Sequence, residues 1–241
     1  MKIKKNGDLI SINGDYQYNA AINGNPVQRF WHYGKKLAIK KYLPPLPSDY
    51  IIDVGCGSGV ITSFLGESGA DVIGIDSNLQ AITFAKNHFQ NNNVQFRQGL
   101  VDENFQIGRL VDKIYCLEVI EHIYYNQGKQ MLKEFYRILK PNGKVFLTTP
   151  NYRSLWPIIE WIMDRFHLAP PLAKYQHVEH YHTKKLKELC LEVGFKIKII
   201  KTNYLFAPWV APFSWKLAEK INNLEGMLSF GGSILIFILV K

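Results

Sequence analysis

The chain has 241 residues, 47% hydrophobic and 20% charged, which suffices for one buried core and excludes a disordered chain or a coiled coil. Its longest apolar run, residues 234–240, is far short of the roughly 20 residues that a membrane-spanning helix needs, and Met1 to Asn6 lacks the apolar stretch of a secretion signal. The sequence therefore predicts a cytoplasmic protein. Cys56, Cys116 and Cys190 stand far apart and indicate neither a disulfide framework nor a thiolate zinc site. A formal charge of +9 suits nucleic acid, an anionic bilayer or an anionic small molecule without choosing among them.

Residues 1–25, rich in Asn and Gly, read as a flexible arm with one short hairpin. A helix is expected over residues 26–43, opened by Pro26 and closed by Pro44 and Pro45. Strands over 50–54, 71–75, 94–97, 113–117 and 144–149 alternate with helices from about 59, over 78–89 and over 128–139, with a Pro141-Asn142-Gly143 turn before the fifth strand. A helix over 183–193 and strands over 196–201 and 233–240 close the pattern. Short buried β-rich runs alternating with amphipathic helices predict an α/β, doubly wound, mainly parallel sheet. Residues 151–182 and 204–229 break the alternation and carry Pro and many aromatics, including Trp156, Trp161, Trp209 and Trp215; they are expected to form a helical, aromatic cap over a site, within one domain spanning 26–241.

The run Asp53-Val54-Gly55-Cys56-Gly57-Ser58-Gly59 follows a strand and opens a helix, so residues without a Cβ let the backbone turn sharply and approach a ligand at the carboxyl edge of the sheet. Its Gly-x-Gly-x-Gly spacing differs from the Gly-x-Gly-x-x-Gly of dinucleotide sites. Asp76, followed by Ser77, ends the second strand, where a carboxylate can take both hydroxyls of a ribose. In these motifs, and in Leu139-Lys140-Pro141-Asn142-Gly143 before a strand, the chain resembles the class I S-adenosylmethionine-dependent methyltransferases over about residues 26 to 201 and the last strand. The resemblance implies a Rossmann-like, seven-stranded sheet of order 3-2-1-4-5-7-6. It implies S-adenosylmethionine as cofactor, held by Asp53, Gly55, Cys56, Gly57, Gly59, Asp76, Ser77 and Glu118. Where the family often has an acid for adenine, this chain has Leu100; Asp102, two places on, or backbone near Leu100 is expected to take that part.

Cys116-Leu117-Glu118-Val119-Ile120-Glu121-His122 falls where the fourth strand ends; if the chain turns helical there, Glu118, Glu121 and His122 share one face. Two carboxylates and an imidazole suit a divalent cation. The run resembles that of the ubiquinone-biosynthesis O-methyltransferases and of the small-RNA 2′-O-methyltransferases, in which a distant histidine completes a metal site. That implies Glu118, Glu121, His122 and His177 as ligands of Mg²⁺ or Mn²⁺, with His180 and His182 as rivals of His177; in relatives without metal the histidine orders the loop or contacts acceptor. Ionising an acceptor hydroxyl is the remaining chemical task, for which His122, His177 and Glu121 are the catalytic candidates.

The expected partner is a small hydrophobic or lipid-like acceptor, matching the apolar segments. DNA is not expected. An RNA acceptor gains from the charge, but no basic stripe with interleaved aromatics is visible. A non-catalytic cofactor-binding subunit conflicts with intact Glu121, His122 and His177, and a nicotinamide oxidoreductase with the glycine spacing. Trp beside Lys and Arg in residues 155–163 and 207–217 also predicts peripheral contact with a bilayer.

Overall fold

The computed structural model describes residues 13–166 and 176–241. Seven strands, β1 (Tyr50–Val54), β2 (Asp71–Asp76), β3 (Val94–Gln98), β4 (Val111–Leu117), β5 (Leu139–Pro150), β6 (Lys196–Asn203) and β7 (Ile234–Val240), form one sheet of order 3-2-1-4-5-7-6. The first five run parallel, and β7 is antiparallel to both β5 and β6. Strands such as β1 and β7 are buried on both faces, as Val/Ile/Leu-rich sequences must be when helices cover each side.

One face packs under α2 (Pro26–Tyr42) and α3 (Val60–Gly66), with Ile39, Phe64, Phe146 and Ile236 in its core. The other face carries α5 (Tyr125–Ile138) and α7 (Thr183–Val193), with Leu132, Phe135, Leu189 and Phe237 beneath them. α2 starts where expected because Asn25 and Gln28 form a reciprocal capping box and Pro26 occupies the first turn. α7 ends at Gly194, whose φ of 108° only glycine adopts without strain.

Three expectations are corrected. First, residues 13–25 are not a loose arm with a hairpin: α1 (Tyr16–Ile22) docks on α4 (Leu79–Phe89), with the Tyr18 ring 5.2 Å from that of Phe84. A Cβ at Gly14 would come 2.4 Å from the Gln80 carbonyl carbon, so the approach requires glycine there. Residues 1–12, including Lys2 to Lys5, lie outside the described residues. Second, Pro141-Asn142-Gly143 does not precede β5 but lies within it, as an irregularity at which the pairing with β4 shifts register and Asn142 takes φ 63°. Third, Glu118 is not helical; it takes φ 57°, and only Ile120–His122 form a 3₁₀ turn.

The antiparallel insertion of β7 gathers the ends of three strands, because Pro150 and Asn203 both pair with Ile234. Both aromatic segments therefore emerge at the sheet edge where β1 and β4 also end: α6 (Trp156–Arg165) follows β5, and α8 (Ala207–Val210) and α9 (Trp215–Glu225) connect β6 to β7. Of the expected cap, residues 167–175 lie outside the described residues.

Candidate active site

The glycine turn between β1 and α3 is left-handed at Gly55 (φ 72°), Gly57 (49°) and Gly59 (83°), a conformation that costs an L-residue about 1–2 kcal/mol at each place. It is strapped to β2 by the amides of Gly55 and Cys56, which donate to the Ile75 carbonyl at 2.8 and 3.1 Å. Asp76 belongs to the same brace: one carboxylate oxygen accepts from the Gly57 amide and the other from the Asn78 amide, each at 2.8 Å. Burial raises its pKa, and these amide bonds oppose the rise. The Gly99 amide donates to the Asp76 carbonyl at 3.0 Å, bringing the loop after β3 alongside. Leu100 is exposed at that loop, and Asp102 folds back to accept from the Asn104 amide at 3.0 Å. The Ser77 carbonyl accepts from the Gln98 side chain at 3.2 Å. Cys56 is buried and its thiol pushed well above its usual pKa by that burial, so it packs as a neutral group beneath the turn.

Asp53, next to last in β1, is almost wholly enclosed and accepts from the Thr62 hydroxyl at 2.7 Å. Burial pushes its pKa up to about 7, and that of Glu121 likewise to about 7. Burial also lowers His32 to about 3 and His122 to about 4. The two raised acids stabilise the folded state fully below about pH 4 and lose that contribution between about pH 4 and about pH 7, at about 1.4 kcal/mol per unit each. The two lowered histidines favour folding above about pH 6.5 and lose it as pH falls. Between about pH 4 and about pH 6.5 the loss from the acids and the gain from the histidines run in opposite directions and largely offset each other, so these four groups together should change the melting temperature little across that window. In scanning calorimetry, the melting temperature of Asp53→Asn relative to wild type should rise between about pH 4 and about pH 7 and level off above, because the variant lacks the acid that destabilises wild type over that window; a difference independent of pH would contradict this.

At the end of β4 the predicted residues separate. Glu118 turns toward α2, where Lys35 lies 3.0 Å from one carboxylate oxygen and the Trp31 indole donates to the other at 3.4 Å. Glu121, His122 and His177 come together: one carboxylate oxygen and one ring nitrogen from each histidine lie within 4.8 Å of one another. Glu121 is 1% exposed; Thr149 donates to its Oε2 at 2.9 Å, and Oε1 has no hydrogen-bond partner among the described residues. The amides of Val178 and Glu179 both donate to the Glu121 carbonyl at 3.0 Å, fastening the His177 loop to the turn. His122 Nδ1 donates to the Gln176 carbonyl at 2.9 Å, and the two imidazole centroids are 4.9 Å apart. The rivals are occupied elsewhere: His180 stacks on Tyr152 at 3.9 Å, and His182 caps α7 by accepting from the Lys185 amide.

An aromatic wall closes this edge. Trp31 stands 5.6 Å from Trp156 and 4.3 Å from Tyr204 between ring centroids, and Trp156 is 6.0 Å from His177. Of the expected tryptophans, Trp156 lines the wall, Trp215 packs against Phe30, Trp209 is partly open, and Trp161 points into solvent at 63% exposure.

A family model described as a methyltransferase domain matches residues 27–198. The chain belongs to that family. The methyltransferase is 34% identical over 186 residues to the mitochondrial ubiquinone biosynthesis O-methyltransferase of Rattus norvegicus, a match covering 74% of this chain but only 53% of the rat protein. It is 27% identical to the ubiquinone biosynthesis O-methyltransferase of Rickettsia akari over 71% of this chain and 67% of that one. Its fold matches an S-adenosylmethionine-dependent methyltransferase from Mesorhizobium loti at a TM-score of 0.64 and 16% identity, covering 86% of this chain and 98% of that one. The sheet order is thus that of the Rossmann-like methyltransferase fold.

Sequence reasoning missed several residues that complete this candidate site. Gln17 of α1 lies against the glycine turn, where a Cβ on Gly57 would come 2.0 Å from its Oε1. Lys35 and Trp31 restrain Glu118, and Tyr152 and Glu160 bind His177. For Glu160 a signal existed: it is a carboxylate in the middle of the apolar helix Trp156-Pro157-Ile158-Ile159-Glu160-Trp161-Ile162-Met163.

Proposed function

We propose that the chain transfers the methyl group of S-adenosylmethionine to an oxygen of a small, hydrophobic or lipid-like acceptor. The observation that carries this reading is the Glu121, His122 and His177 cluster at the end of β4, beside the glycine turn and under the aromatic wall. The names of the ubiquinone-pathway O-methyltransferases that it resembles support oxygen as the accepting atom.

In-line attack on a sulfonium methyl needs two reactants held in register more than it needs covalent help. The acceptor hydroxyl must also give up its proton. His177 is the base in this reading, since burial depresses an imidazole but bonding to Glu160 and the nearby Glu121 carboxylate raise its proton affinity overall. His122, held neutral by burial, completes the polar floor. Glu121, His122 and His177 also suit a divalent cation such as Mg²⁺ or Mn²⁺, with one carboxylate oxygen unpartnered among the described residues; such an ion would stabilise the acceptor oxyanion. The aromatic wall excludes water, which favours a reaction that brings an anion and a sulfonium to neutral products.

The acceptor's lipid-like character is supported by the outer surface. The exposed Trp and Phe side chains among the described residues, Trp161, Phe166, Phe206, Trp209, Phe213 and Phe230, all lie after β5 or between β6 and β7, at the edge that carries the site. Arg153, Arg165, Lys216 and Lys220 lie in the same two segments. Aromatics with interspersed cations suit the interface of an anionic bilayer, from which an apolar acceptor enters the cap directly. Among the described residues no helix is long and apolar enough to cross a membrane.

The test is transfer of labelled methyl from S-adenosylmethionine to a catechol bearing an isoprenoid tail, presented in anionic vesicles or in detergent. Turnover on this probe, with the protein floating with the vesicles, is expected. Transfer only to RNA oligomers or only to water-soluble amines would overturn the proposal. Loss of turnover with chelator, restored by Mg²⁺ or Mn²⁺, would assign the cation a part.

A further inference from the structure

Glu160 is a carboxylate on a cap helix, 3% exposed, seventeen residues before the histidine that it touches. Burying a carboxylate costs several kcal/mol unless its oxygens are bonded. Here both are engaged: His177 Nδ1 lies 2.5 Å from Oε1, and the Tyr152 hydroxyl is 2.9 Å from Oε1 and 3.0 Å from Oε2. The same hydroxyl is 3.0 Å from His177 Nδ1, so the three groups form one closed set. Tyr152 is itself fixed, its ring stacked on His180 and its amide donating to the Tyr181 carbonyl at 2.9 Å.

Trp156 and Glu160 stand four residues apart on α6 and so share a helix face, which they present to His177, one as a ring wall and the other as a hydrogen-bond acceptor. From the opposite side, the Val178 and Glu179 amides hold the loop to the Glu121 carbonyl. A carboxylate that accepts from Nδ1–H fixes the imidazole as the tautomer whose Nε2 carries no proton, and it fixes the ring's rotation as well.

We infer that Glu160, braced by Tyr152, is the positioning residue of this site: seated on α6, it holds His177 in the Nδ1–H tautomer, so that Nε2 is the nitrogen offered to the acceptor. Because α6 supplies this contact, docking of the cap helix and assembly of the polar cluster are one event. The inference rests on the assignment of His177 in the proposed function, and its primary readout needs no methyl acceptor.

That readout is the ¹⁵N long-range spectrum of the full-length protein with labelled histidine, recorded at alkaline pH where the ring is neutral, with His177 assigned by His177→Gln. Wild type should show a protonated Nδ1 and an unprotonated Nε2. Glu160→Leu, which keeps the volume and removes the acceptor, should show a mixture of tautomers, and Glu160→Gln, which retains one acceptor oxygen, should lie between. On the tailed catechol, Glu160→Leu should lower kcat about 10- to 100-fold, with Glu160→Gln partly rescued and the dissociation constant for S-adenosylhomocysteine unchanged in both. A wild-type His177 protonated on Nε2 would overturn the inference even if neither variant folds. An unchanged tautomer in Glu160→Leu would overturn it equally. The expected tautomers with no transfer to the catechol would sink the acceptor assignment and uphold the positioning role.

Discussion

Gly57→Val is expected to abolish detectable binding of S-adenosylhomocysteine, a loss of at least about 100-fold, or about 2.7 kcal/mol. Two effects act together. At φ 49° a β-branched residue is strained by about 1–2 kcal/mol or more, and the added side chain projects from the face of the turn against which Gln17 lies, 2.0 Å from its Oε1. Gln17 sits at the end of a flexible side chain and can move, so the collision alone is cheap to relieve. The backbone strain is not, because the Gly57 amide is fixed by Asp76 at 2.8 Å. Titration calorimetry on Gly57→Val and on Gly57→Val with Gln17→Ala separates the two: binding should stay lost in both. Recovery in the double variant would show that the turn tolerates a side chain and that α1 alone had been displaced.

His177→Ala should lower kcat for methyl transfer by about 10²- to 10⁴-fold, the usual contribution of a positioned general base, while cofactor affinity changes less than about twofold. The prediction follows from separation: the glycine turn is braced by Asp76 and Ile75, whereas His177 is held by Glu160, Tyr152 and the loop fastened to Glu121. His122→Ala should act in the same direction but less strongly, since its Nδ1 is committed to the Gln176 carbonyl and its role is to order the loop around His177. Equal loss of turnover and of cofactor affinity in either variant would mean that the cluster supports the fold rather than the reaction.

The sheet was legible because its information is local. β1 and β2 are short Val/Ile-rich runs, closed by Gly55 and Asp76, so their placement follows from composition and turn chemistry. The glycine turn was legible for the same reason. What escaped the sequence depends on contacts between distant segments. α1 has no apolar stripe of its own; Tyr18 finds its partners on α4, more than sixty residues on. Glu118 was expected with Glu121 and His122, but a left-handed backbone at that residue aims it at Lys35 and Trp31 of α2. Glu160 and Tyr152 acquire a role only when α6 folds onto His177, and of three nearby histidines the sequence could not choose until His180 had stacked and His182 had capped a helix.

The most direct measurement of the central claim is isothermal titration of the intact chain with S-adenosylhomocysteine and, separately, with NAD⁺. Saturable one-to-one binding of S-adenosylhomocysteine, no heat with NAD⁺, and loss of the signal in Gly57→Val are the results expected of a cofactor seated at the end of β1. Binding of NAD⁺ in preference, or S-adenosylhomocysteine binding that survives the Gly57 substitution, would contradict it.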